Sequence, residues 1–560
     1  MEVADTPPVK QGGSQSARLR HFLWQSALVI AAGIIAAPVL VIISSLFQPF
    51  SDLWRHLLDH VITDYVVNSL LLMMGVAIGT SLLGVTTAWL TATCDFPGRR
   101  FFGWALVLPM AMPAYIIAYT YTGMLDFSGP LQSYMRETFG WQYGDYWFPE
   151  IRSLGGAICM LSLVFYPYVY LLARVAFAER SVALLEASRN LGHGPWRTVL
   201  TVALPMARPA IIAGVSLALM ETLADYGTVD YFGISVFTTG IFRTWYGFGE
   251  LTTAAQLAAF LLLFVVSVVV LERLSRGAMR FNAQNARAAQ LRVSLVGWRA
   301  GFCCALASAV LIAGFALPAA QLALWVLRST DSVDAQAFLS LVGNSFLLAA
   351  IASLCALLVA LSLAYAVRLR PGRLATLTVA TASIGYAVPG TVIAVGVLIT
   401  LAWADNQLNN VLQVAMGSSG GLLLSGSLAA LIFAYLVRFL TVSMYTVESG
   451  LSKITPALDD AARSLGRSPR GVLRDVHVPL LRGSVLTALL LVFVDVLKEL
   501  PATLILRPFN FNTLAVRTYE LASDERLTDA ALPALTIVVI GLVPVILLSR
   551  GFTIGRGQHG

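Results

Sequence analysis

Long apolar runs alternate along this chain with short polar stretches, and most of the runs have the length of a membrane-crossing helix. Such a helix needs roughly 20 consecutive, mostly apolar residues. The pattern predicts six in a first half, at about 22–46, 66–93, 101–125, 153–175, 207–224 and 251–272. It predicts six more in a second half, at about 300–327, 344–368, 374–402, 421–444, 483–506 and 530–550. The reading is therefore an all-α membrane protein of about twelve spans. The polar intervals divide it into a tail over 1–21, a first half over 22–272, a linker over 273–299, a second half over 300–550 and a tail over 551–560. Residues 1–17 are polar, with Pro7, Pro8 and a Gly/Ser cluster, and are expected to be disordered. The first apolar run is too long for the core of a cleaved signal and reads as a span.

One polar interval occurs twice. Glu186–Pro209 reads EASRNLGHGPWRTVLTVALPMARP, and Asp460–Arg482 reads DAARSLGRSPRGVLRDVHVPLLR. At a constant offset Glu186 aligns with Asp460, Ala187 with Ala461, Arg189 with Arg463, Gly192 with Gly466 and Pro205 with Pro479. Each copy predicts a short helix, a turn at the glycine in the left-handed conformation, and a second short helix opened by Pro195 or Pro469. A polar insert repeated in register within an apolar chain reads as a docking surface presented once by each half. Other landmarks recur as well: Asn68-Ser69 with Asn344-Ser345, Pro97-Gly98-Arg99 with Pro371-Gly372-Arg373, and Pro113 with Pro389. An even number of spans per half makes this a parallel duplication, unlike the inverted repeats of many secondary transporters.

Composition agrees with this and narrows the chemistry. The 560 residues are 58% hydrophobic and 12% charged, with mean hydropathy +0.77. The net charge of +7 carries no nucleic-acid signal, because the arginines cluster in short loops. Arg273, Arg276, Arg280, Arg287, Arg292 and Arg299 crowd the linker with no acid among them. The positive-inside rule puts these clusters, both repeated loops and both termini on the cytoplasmic side. The five cysteines lack metal-ligand spacing and predict no disulfide framework. None of the three lysines follows a glycine, so the chain has no Gly-Lys-Ser/Thr phosphate loop and is not expected to hydrolyse ATP itself.

The segments after the repeated loops carry acids within otherwise apolar sequence. Glu221 aligns with Asp495, Asp225 with Glu499, and Arg243-Thr244 with Arg517-Thr518. Each half thus sets two carboxylates four residues apart on one helix face. A charge at the membrane centre costs roughly 2.5–3.5 kcal/mol on insertion scales, so it faces a cavity or a partner. Two readings stay open: the four acids line one pathway, or they are neutralised by Lys498, Arg243 or Arg517. In predicted outer loops, His56 and His60 flank Asp59 and read either as a metal pair or as one face of a surface helix. Trp141, Tyr143, Tyr146 and Trp147 read as an interfacial aromatic belt or as part of a partner's footprint.

The repeated loop resembles the EAA loop of binding-protein-dependent ABC importer permeases, with Ser188 in place of the second alanine and Asp460 in place of the glutamate. The stretches ETLADYGTV, KELPATLILRPFNFNTLAVRTYE and AMPAYIIAYTYTGMLDFSGP resemble those of ferric-iron permeases, and the likeness covers nearly the whole chain. The resemblance implies two fused six-helix permease halves of the type I importer fold in a bacterial inner membrane. It implies a separate ATPase dimer, holding ATP and Mg, docked on Glu186, Ala187, Arg189, Gly192, Pro205, Asp460, Ala461, Arg463, Gly466 and Pro479. It further implies a periplasmic or lipid-tethered iron-binding protein as partner, with Fe(III) as substrate and no cofactor on this chain. Fe(III) is a hard cation that prefers carboxylate and phenolate oxygens. The candidate pathway residues are Glu221, Asp225, Asp495, Glu499, Tyr226, Tyr115 and Tyr119, with the four carboxylates as transient metal contacts and with Tyr115 and Tyr119 also readable as interhelical packing or interfacial anchors. Thiamine or phosphonate permeases, and in another class an ion-coupled secondary transporter, are the alternatives.

Overall fold

The computed structural model describes residues 15–142, 144–178, 194–276, 293–329, 334–369, 372–417 and 420–554. Within them the first half contributes helices α1 (Gln15–Ser44), α2 (Ile62–Thr93), α3 (Ala114–Leu125), α4 (Leu154–Ala178), α5 (Leu204–Ala224) and α6 (Leu251–Arg276). The second contributes α7 (Trp298–Arg328), α8 (Ala335–Leu369), α9 (Gly390–Met416), α10 (Leu428–Leu451), α11 (Arg482–Leu497) and α12 (Leu527–Ile554). Ten of the described helices are long and apolar enough to cross a membrane on their own. The count reaches twelve only if two bent pairs each make one span: Arg99–Ala111 with Ala114–Phe139, bent by 92°, and Leu473–Leu480 with Arg482–Leu497, bent by 68°. The predicted span at 101–125 is therefore broken, and that at 483–506 stops at Leu497.

The breaks have local causes. Met112 and Val388, each before a proline, adopt extended backbone, because the proline ring disfavours helix at the preceding residue. α3 and α9 start immediately after Pro113 and Pro389. α2 and α4 run parallel in close contact, and a side chain at Gly79 or Gly84 would collide with Ser162 or Val169. The first helix of each half packs on the other half. α1 lies against α9, with Gly396 held against the Pro38 backbone. α7 lies against α3, where the Tyr121 hydroxyl donates to the Ala313 carbonyl at 2.6 Å. The linker adds a two-residue parallel ladder, Cys94–Asp95 with Val293–Ser294.

In the second polar repeat, Pro456–Ser464 forms a helix, Gly466 turns with φ 82°, and Pro469 starts the next helical turn. The loop is fixed to the end of α8. Arg368 pairs with Asp459 at 2.9 Å and donates to the carbonyls of Leu451 and Ile454, while buried His477 bonds Asp459 at 2.6 Å. Burial pushes the Asp459 carboxyl up, but the Arg368 and His477 bonds outweigh it and hold the group below its ordinary value. In the first repeat Glu186, Ala187, Arg189 and Gly192 lie outside the described residues, and Pro205 opens α5.

Candidate functional site

Both helices that follow the polar repeats stop short and hand over to a small helix. α5 ends at Ala224, followed by Gly227–Tyr231; α11 ends at Leu497, followed by Pro501–Leu506. An acid caps each small helix. Asp225 accepts from the Thr228 N–H at 3.0 Å and the Thr228 hydroxyl at 3.1 Å, and Glu499 accepts from the Ala502 N–H at 3.3 Å. The carboxylates thereby reach a cavity of about 140 Å³ between the halves. The start of α3, the turn Tyr386–Val388 just before α9, and the middles of α4 and α10 complete its wall. All four sequence-predicted acids, Glu221, Asp225, Asp495 and Glu499, line this one space, with Tyr115 and Tyr226.

Tyr119, four residues from Tyr115, does not reach it. Its ring stacks on Trp325 at 6.3 Å and its hydroxyl bonds the Ala530 carbonyl at 3.5 Å, so it is interhelical packing. The neutralising partners are in part those expected. Lys498 pairs with Asp495 at 2.9 Å rather than with its neighbour Glu499. Arg243 donates to Ser235 and Arg517 faces Glu520. Glu499 is paired instead with Arg438 of α10, at 2.9 Å. Arg438, Tyr168 and Tyr386 line the cavity and were not anticipated. A lone arginine inside the predicted 421–444 span was the available signal; the corresponding residue of the first half is Val164, which also lines the cavity. Space for the Arg438–Glu499 pair exists because position 390 is glycine, since a β-carbon there would overlap both side chains.

Among the described residues no three His, Cys, Asp or Glu side chains are arranged to hold a metal ion. The acids line an open space rather than form a cage. His56 and His60 stack ring on ring at 4.9 Å on a short helix. Trp141 stacks on Tyr146, Trp147 is exposed, and Tyr143 lies outside the described residues. At the end away from the polar repeats, the cavity is roofed by aromatic rings from both halves. Tyr226 stacks on Phe242 at 3.8 Å and meets Tyr519, whose hydroxyl donates to Asp230. At the opposite end Met110, Asp495 and Lys498 separate it from a second, mainly apolar cavity of about 220 Å³, bounded by Leu171, Arg174 and Val545.

The duplicated fold and the cavity on its seam describe a membrane permease. The model of the family "Binding-protein-dependent transport system inner membrane component" matches this chain twice, over residues 81–280 and 356–553. The chain belongs to that family. It is 27% identical over 496 residues to the Fe(3+)-transport system permease protein FbpB 2 of Haemophilus influenzae, covering 87% of this chain and 90% of that one. It is also similar to a probable sulfate transport system permease protein of Chlorokybus atmophyticus, at 29% identity over 41% of this chain and 78% of the relative. A molybdenum transport system permease protein of Haemophilus influenzae is 26% identical over 36% of this chain and 87% of its own length. These two span less than half of this chain but most of themselves, as expected where two permease units are joined in one polypeptide. As a member of the family, the chain is the inner-membrane permease of a binding-protein-dependent ABC transporter.

Proposed function

We propose that this permease imports Fe(III). The observation that carries the reading is the convergence of Glu221, Asp225, Asp495 and Glu499 on one cavity between the halves. Carboxylate oxygens suit a hard cation, and an open, partly neutralised wall suits a site that must also release its cargo. The relative matched along most of its length is named as an Fe(3+)-transport permease. A periplasmic or lipid-tethered binding protein delivers the ion at the aromatic roof, and a separate ATPase dimer docks on the two EAA-like loops, around Glu186–Gly192 and Asp460–Gly466. The loop side, with both termini, is cytoplasmic in this reading, which the arginine clusters support.

Coupling follows from connectivity. The second loop runs through a bend at Leu481 directly into α11, a 16-residue helix whose far end carries Asp495. A push on the loop therefore moves the wall between the two cavities. The deciding experiment is uptake of radiolabelled ferric iron by iron-starved cells with and without this chain. Uptake that depends on the chain and resists excess molybdate, sulfate and aminoethylphosphonate is expected; chain-dependent uptake of one of those oxyanions without iron uptake would overturn the assignment. An oxyanion is the second reading, favoured by Arg438 and Lys498 in the cavity wall. It ranks second because both cations are already paired with acids.

A further inference from the structure

The four carboxylates are related by the repeat but not by their surroundings. On the second-half side, Asp495 is held by Lys498 at 2.9 Å and one oxygen of Glu499 by Arg438 at 2.9 Å. On the first-half side, neither Glu221 nor Asp225 forms an ion pair among the described residues, and Lys498 acts on Glu221 only at longer range. No described residue hydrogen-bonds Glu221, and Asp225 is held only by neutral groups, Thr228 and the Val229 N–H. Lys498 and Arg438 have no counterpart in the first half, where Ala224 and Val164 stand at the corresponding positions. The negative charge left unmatched in the cavity therefore lies on the first-half side.

Two buried polar atoms point the same way. Tyr115 is 5% exposed, lines the cavity beside Asp225 and Glu499, and its hydroxyl has no hydrogen-bond partner among the described residues. Glu499 is also 5% exposed, and its second oxygen, Oε2, is equally without one. Buried polar groups are normally satisfied, so an orphaned phenol and an orphaned carboxylate oxygen beside two unpaired acids describe a place where a ligand completes the bonding. We infer that cation reception is divided unequally between the halves. Glu221 and Asp225 supply the charge that receives the hard cation, with the Tyr115 hydroxyl and Glu499 Oε2 free to bond it or the water it carries, whereas Asp495 is matched by Lys498 in an internal ion pair. This rests on the reading of the cavity as the iron pathway. It adds an unequal division of charge between the halves, with the cation keeping other ligands of its own as it passes.

The test uses the purified full-length chain in detergent and terbium(III), a hard trivalent probe whose emission is sensitised by nearby tyrosines. Glu221→Gln and Asp225→Asn should each weaken tyrosine-sensitised terbium binding at least 10-fold without lowering the unfolding midpoint, since asparagine still caps Thr228. Tyr115→Phe should lower the emission. The double change Asp495→Asn with Lys498→Met, which removes the internal pair without stranding either charge, should weaken binding clearly less than either first-half change. Equal losses in the first-half variants and in that double variant would overturn the division, as would unchanged binding in Glu221→Gln and Asp225→Asn. Site-specific terbium binding without chain-dependent iron uptake would retire the iron assignment and keep the division. Iron uptake with terbium binding indifferent to Glu221 and Asp225 would do the reverse.

Discussion

Replacing Gly390 by alanine should destabilise the protein, although alanine is the better helix former. Gly390 is the first residue of α9, and its missing side chain is the space occupied by the Arg438 guanidinium and the Glu499 carboxylate. A β-carbon would overlap both, and the nearest atoms belong to the ion pair itself, which has to move apart. The side chains of Glu499 and Arg438 are only 1% and 15% exposed, so the separated charges stay out of water. Breaking a buried pair costs roughly 3–5 kcal/mol, and exchanging glycine for alanine in a helix returns at most about 1 kcal/mol. The net loss expected is thus about 2–4 kcal/mol.

The first half supplies the control. There α3 starts with Ala114 at the same place after its proline, and Val164 stands where the second half has Arg438. In a background of Arg438→Val with Glu499→Gln no pair remains to be displaced, and Gly390→Ala should become neutral or mildly stabilising. Unfolding in mixed detergent micelles gives the free-energy difference for each arm of the cycle, and the coupling should be about 2 kcal/mol or more. An equal loss in both backgrounds would mean that glycine serves the backbone and not the pair. No loss in the parent would mean that the pair moves aside freely, and the argument from the missing β-carbon would fail.

Other expectations follow from the same contacts. Asp459→Asn should weaken the attachment of the second loop to α8 by about 1.5–3 kcal/mol, the range for hydrogen bonds to charged groups, read as faster amide exchange over Pro456–Ser464. Because the Asp459 pKa is depressed in the fold, this contribution is fully present above the ordinary carboxylate value of about 3.9 and is lost as pH falls through the depressed one. The gap between parent and Asp459→Asn should accordingly close only on acidification below about pH 4, and a gap that closes on the alkaline side would refute the sign. Gly466→Val places a β-branched residue at φ 82°, costing roughly 1–2 kcal/mol, and should reduce the ATPase that copurifies with the chain; full recovery of ATPase with normal transport would count against docking there. A cysteine at Ser464 should resist impermeant thiol reagents in intact cells while one at Gln142 reacts, and the reverse pattern would invert the orientation.

Much of this architecture was legible in the order of residues because the duplication makes each feature appear twice. Helical runs, recurrent prolines and paired acids stand out when the same pattern returns at one offset. That comparison hides whatever the halves do not share. Arg438 has no partner in register, since Val164 occupies its place, so a search for repeated polar positions passes over the residue that neutralises Glu499. Lys498 stood among the neutralising cations with no acid chosen for it. Adjacent residues diverge around a helix whereas residues three apart share a face, and the observed pair is Lys498 with Asp495. The same spacing rule put Tyr119 beside Tyr115, but α3 is buried on all sides over Ala114–Thr122, and a shared face tells nothing about which neighbour it meets. The break after Leu497 was missed because Pro501 lies within an apolar run, where hydropathy alone continues the span.

The asymmetry of the cavity has a physical logic if the cargo is a hard trivalent ion. Four unpaired carboxylates around about 140 Å³ would repel one another when empty and hold the ion tightly when full. Conduction needs a site weak enough to empty. Introducing Arg438 and Lys498 on one side offsets both problems: it matches two acids in the empty state and places positive charge opposite the receiving groups in the loaded one. Lys498 also sits on the partition to the second cavity, where Asp495 is its partner. Motion of α11 driven from the loop would carry that ion pair with it, so the wall that limits affinity is the one mechanically tied to the loop.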